Sequence, residues 1–137
     1  MSAAPGAAAQ GPGRDVFEYA VLRVVPRVER GEFINAGVIL YCRARSFLAA
    51  ATHLHEERLR ALDPDADLAG VRAALHAAEC VCRGGTDAGP AAGDEAGRRF
   101  RWLIAPRSTV VQPGPVHTGL TADPHAELAR LLQVLVR

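Results

Sequence analysis

The sequence predicts an α+β fold in which a mainly antiparallel sheet, built on an N-terminal hairpin, carries two packed helices. Three observations predict it. Val16 to Val25 and Phe33 to Cys42 are β-branched and aromatic runs separated by the polar stretch Pro26 to Glu32, the pattern of strand, loop and strand. Leu68 to Cys82 and Leu128 to Leu135 repeat apolar residues at helical spacing. The extended segments follow one another with few helices between them, which favours antiparallel pairing over βαβ crossovers.

The first strand would present Phe17, Tyr19, Val21, Arg23 and Val25 on one face and Ala20, Leu22 and Val24 on the other. A strand apolar on both faces belongs in the middle of a sheet, covered on both sides. Pairing Val25 with Asn35 would set Arg23 opposite Gly37, with room there for a guanidinium. The alternative makes Arg23 a solvent-facing edge residue and Gly37 a bulge. Arg45 to Thr52 reads as a third strand weakened by its alanines, and His53 to Leu62 as a short polar helix or turn. Asp63, as N-cap ahead of Pro64, opens a helix carrying Leu68, Val71, Leu75, Ala78 and Cys82, which Gly84 stops. Residues 84–97 have no periodicity and are expected to form a flexible loop. Arg99 to Ala105 alternates, with Phe100, Trp102 and Ile104 on one face of a predicted strand, and Thr109 to Gln112 adds a short extended piece. Pro113 and Pro115 stiffen a loop through Gly119, and Asp123-Pro124 starts a terminal helix with Leu128, Leu131, Leu132 and Leu135 on one face.

At 137 residues the chain fits one domain, expected over 14–137 after a disordered tail at 1–13. That tail lacks the basic and apolar segments of a signal peptide or membrane span. A net charge of +1 gives no global drive toward nucleic acid or a membrane, so anion binding would need local clustering. Every basic side chain other than histidine is arginine, a residue suited to bidentate anion contacts. Cys42, Cys80 and Cys82 are odd in number and follow no secreted framework, which predicts a reduced, cytoplasmic setting.

Catalytic and cofactor words are missing. Cys80 and Cys82, two apart on a helix, point about 200° from each other and cannot chelate one ion. His53, His55 and Glu56 match no standard zinc spacing, so neither metal nor cofactor is expected. Ser108 and His117 lack a nucleophile elbow, and no phosphate-binding loop or dinucleotide fingerprint occurs. The polar set left over is Arg23, Arg27, Arg30, Glu32 and Asn35 around the hairpin, with Arg107, Ser108, Thr109, His117 and Thr118 in the late loop. Arginines with hydroxyls and an imidazole suit a carboxylate or phosphate. A solvated turn whose charges pair among themselves, Glu29 or Glu32 with Arg30, accounts for the first group equally. Arg23, interrupting an apolar face, needs a partner. Glu32 is the nearest acid by sequence, and convergence of Arg23, Arg107 and His117 would make one anion site.

Two long words, VLRVVPRVERGEFINAGVILYC and FRWLIAPRSTVVQPGPVHTGL, with the closing leucine helix, resemble the bacterial Domain of Unknown Function 3037 family over Phe17 to Val136. The first word carries Arg23, Pro26, Arg30, Gly31, Glu32, Asn35 and Gly37, and the second Arg107, Ser108, His117 and Gly119. Ala36 departs from an expected valine. The resemblance implies no established activity. It points to a small binding or accessory module encoded beside a HipA-like kinase, which makes that kinase the expected partner. The rival expectation is an enzyme, or enzyme subunit, acting on a phosphorylated or carboxylated substrate through the arginine and His117 set. A homo-oligomer is compatible with either, and nucleic-acid binding is disfavoured.

Overall fold

The computed structural model describes residues 13–84 and 95–137. β1 (Asp15–Val24) and β2 (Ile34–Cys42) form the antiparallel hairpin at the centre of the sheet. β3 (Phe47–Thr52) follows a single 3₁₀ turn and pairs with β2 from Cys42 opposite Phe47 to Gly37 opposite Thr52. Two late strands share the other side of β1. β4 (Val111–Pro113) lies along Leu22 to Val24, and β5 (His117–Thr121) along Asp15 to Tyr19. All pairings are antiparallel, so the α+β class and the hairpin foundation hold.

Helices cover both faces. On one side lie α1 (Glu56–Leu62), α2 (Leu68–Arg83) and α3 (Ala96–Leu103), and on the other α4 (Pro124–Leu135). The hairpin strands feed both layers because their side chains alternate. Leu22, Val24 and Ile39 pack with Leu59, Leu75 and Phe100, whereas Phe17, Val38 and Leu40 pack with Leu128 and Leu131. Among the described residues, no helix is long and apolar enough to cross a membrane.

The hairpin register differs from the expected one. Leu22 pairs with Gly37 and Arg23 with Asn35, leaving Ala36 as the extra residue of a bulge. That slip turns Ala36 and Ile39 toward the same core although three positions separate them. Gly37 makes no room for a guanidinium. It permits close packing of strands, since a Cβ there would stand 2.9 Å from the Ala51 carbonyl oxygen and 3.3 Å from Leu22 Cδ1.

The second helix starts later than expected. Asp63 closes a turn by accepting from the Asp65 amide at 3.0 Å, and Asp67 is the cap, accepting from the Gly70 amide at 3.0 Å. Gly70 permits this, because a Cβ at that position would run into the Asp67 carboxylate. The terminal helix starts where expected, with Asp123 accepting from the Ala126 amide at 3.1 Å ahead of Pro124. The predicted strand at Arg99 to Ala105 is instead the helix α3. Phe100 and Leu103, three apart, are its buried residues, and Phe100 stacks on Tyr41 of β2 at 5.3 Å, while Trp102 stays 47% exposed. The loop expected through Gly119 contains β5. Of the tail at 1–13, only Gly13 is described, and its carbonyl accepts from Arg45 at 2.8 Å. Of segment 84–97, residues 85–94 lie outside the described residues, Gly84 ends α2, and Ala96 and Gly97 open α3.

Candidate functional site

Arg23 sits near the end of β1 on the α4 side of the sheet, between Asn35 of β2 and Gln112 of β4. Strand alternation puts it there, since Leu22 and Val24 on either side enter the opposite core. Its guanidinium lies 4.2 Å from the centroid of Phe33, an aromatic placed just before β2. Gly114 comes in close from β4's end, tied by its amide to the Val21 carbonyl at 2.8 Å. A Cβ on Gly114 would stand 3.1 Å from Arg23 Cζ and Nε, so glycine lets the backbone come this near without displacing the guanidinium. Arg23 Nε is buried with no hydrogen-bond partner, and no described carboxylate forms an ion pair with the side chain. The ring face offsets part of the desolvation of such a cation, on the order of 0.5–2 kcal/mol.

The hairpin turn neutralises itself. Arg27 pairs with Glu29 at 3.1 Å and Arg30 with Glu32 at 2.7 Å, all four side chains being exposed. The Arg30 hydrogen bond holds the Glu32 carboxyl below its ordinary range, and the same bond raises Arg30. Glu32 therefore serves Arg30 rather than Arg23. Asn35 donates to the Leu135 carbonyl at 3.1 Å, and His55 Nε2 meets the Val136 carbonyl at 3.1 Å, so both hold the C-terminal end of α4.

His117 stands opposite Tyr19, their rings 5.3 Å apart, on the same face as Arg23. Four residues of β1 separate the two positions, roughly 13 Å of strand. Arg107 lies on the other side of the sheet. It stacks on Trp102 at 4.9 Å, donates to the Trp102 carbonyl and to that of Ala105 at 3.3 Å, and lines a cavity with Leu22 and Val81. Ser108 is exposed in the loop that follows. Arg23, Asn35 and His117 thus share a face, and Arg107 does not join them.

Sequence reasoning passed over Phe33 and Gly114, which frame Arg23. Phe33 was visible as an aromatic ending a charged turn, and Gly114 as the residue between two prolines, but neither spacing shows that both reach one guanidinium. An open concavity of about 1100 Å³ lies on the α3 side beside Glu18, Arg43 and Arg98. Arg101 spans it with a two-pronged ion pair to Glu18 at 2.8 and 3.0 Å. A polar cleft between β3 and α2 joins Thr52 to Glu79 at 3.0 Å with His76 nearby. Among the described residues, no cluster of His, Cys, Asp and Glu could hold a metal ion. The cysteines are free and buried, and burial pushes the Cys82 thiol up to about 12, far from a nucleophile's range.

Two words of sequence meet in this architecture, one forming the central hairpin and the other running from α3 through β4 and β5. A family model described as protein of unknown function (DUF3037) matches residues 19–136, a span that takes in both. Nothing among the curated proteins or the solved structures matches. With most of its length covered by that one match, the chain belongs to the DUF3037 family of proteins of unknown function.

Proposed function

We propose that the chain is a small cytoplasmic binding or accessory module that docks an acidic segment of a partner protein on the open half of its sheet. One observation carries the reading: Arg23 is a partly buried cation held between an aromatic ring and a glycine backbone, with no carboxylate of its own. Around it α4 lies over β2 and β3, and Tyr19, Val21, Gln112 and His117 remain partly or fully exposed on the α4 side of the sheet. A carboxylate from a partner would supply the missing counter-charge, while the exposed Phe33 supplies apolar contact. The partner to which the family resemblance points is a HipA-like kinase. The enzyme reading drew on Arg23, Arg107 and His117 together, and the sheet divides that set.

Co-purification with the kinase-like neighbour, followed by calorimetry, tests this. Arg23→Gln should weaken the complex by at least about tenfold, as loss of a desolvated charged hydrogen bond does. Arg30→Gln, in the self-paired turn, should leave it unchanged. Equal affinity for wild type and Arg23→Gln would remove the reading.

A further inference from the structure

We propose that the apolar cavity between α2, α3 and β4 binds a small molecule with an apolar body and a carboxylate head, the head being held at Arg107. The cavity measures about 300 Å³, the lower end of the range of small-molecule sites of roughly 300–1,000 Å³. Its floor is Leu22, Val81 and Leu103, and its walls are the short side chains of α2, Ala74, Ala77 and Ala78. Alanines on a helix that faces a sheet leave space that longer residues would fill, and here the strand β4 does not close it.

The chemistry at the rim is one-sided. Among the described residues, Arg107 is the only charged one lining the cavity, and no acid lines it. Two nitrogens of its guanidinium donate to main-chain carbonyls, Nε to Ala105 and Nη2 to Trp102, which fix its orientation without neutralising its charge. The Trp102 ring, 4.9 Å from Cζ, backs the guanidinium and is itself 47% exposed. Thr109 spends its hydroxyl proton on the Val111 carbonyl at 2.7 Å, so its oxygen offers no second donor for a neutral polar ligand. A fixed cation at the mouth of an apolar chamber selects an anion with an apolar tail, and a planar carboxylate matches the guanidinium edge. The site is independent of Arg23, which lies on the opposite face.

Trp102 is the only tryptophan, so emission excited at its red edge reads the cavity directly. Phenylacetate and hexanoate would be titrated into the full chain, with phenylacetamide as the neutral isostere and calorimetry as a second readout. At least one acid is expected to give a saturable emission change, with the amide about tenfold weaker or worse. Arg107→Gln should abolish the preference for the acid, and Ala77→Leu, placed at an exposed position to fill the cavity, should abolish binding of both. Arg23→Gln should change nothing. No saturable change with either acid, equal binding of acid and amide, or undiminished binding by Ala77→Leu would each overturn the proposal. The last variant keeps the test decisive if Arg107→Gln fails to fold.

Discussion

The two faces of this sheet are finished in different ways. On one side three helices meet the strands, and Ile39, Leu59 and Phe100 have no exposed surface at all. On the other, among the described residues, a single helix, α4, seals Val38, Leu40 and Phe17, while Val21 and Arg23 stay partly exposed. A helix is only about 10 Å wide, so one helix closes little more than two strands at their 4.8 Å spacing. The strand left outside its footprint is where an arginine is tolerated and where solvent has access. The three-helix side covers the hairpin strands more fully, and its apolar cavity results from small side chains rather than from missing helix.

Substitutions can break or sharpen that contrast. Phe100→Ala, on the sealed face, should cost about 3–5 kcal/mol in urea unfolding through loss of a fully buried ring. Leu131→Ala, under α4, should cost about 2–4 kcal/mol, and a change below about 0.5 would mean that α4 contributes little to the fold. A larger loss for Leu131 than for Phe100 would reverse the ranking of the faces.

Gly37→Ala tests the strand packing between them. Its new methyl meets backbone at Ala51, which moves less readily than a side chain, so a loss of about 1–3 kcal/mol is expected. Wild-type stability in this variant would show that β3 can shift away from β2.

Cys82 reports the seal chemically. Its thiol is raised from the ordinary 9.0 to about 12 by burial, so the unfolded chain loses this proton first as pH rises. The contribution is fully present below pH 9.0 and is lost as pH climbs toward 12. At pH 8 a thiol reagent should leave Cys82 unlabelled in the native protein and label it after denaturation, as peptide mass mapping would show. Rapid native labelling would mean that the face opens.

The smallest stability effect is expected at Arg23. Arg23→Met keeps the ring contact and removes an unpaired cation, so stability should stay within about 0.5 kcal/mol of wild type or rise. A loss of several kcal/mol would show that the guanidinium is part of the fold rather than a site held open.

The central hairpin, its two covered faces and the Asp123-Pro124 helix start were legible in the residues, because alternation and capping are local and each residue reports its own strand or turn. The α2 start was placed four residues early, at Asp63 rather than Asp67, since an aspartate before a proline can cap as well, and what decides is that Gly70 lets Asp67 close. Arg99 to Ala105 fits a strand and a helix alike, because Phe100, Trp102 and Ile104 alternate while Phe100 and Leu103 lie a turn apart. The stacking of Phe100 on Tyr41 decided between them, and that contact spans 59 positions. Arg23 was visible as an exception within an apolar run, yet its ring, its glycine and its lack of an acid were not. Sequence by itself thus determined the hairpin strands and the terminal helix, since these follow from period and local hydrogen bonding. The bulge at Ala36, the division of Arg23 from Arg107 by the sheet, and the cavity under Trp102 were decided by tertiary packing, because each depends on atoms from segments far apart in the chain meeting at one point.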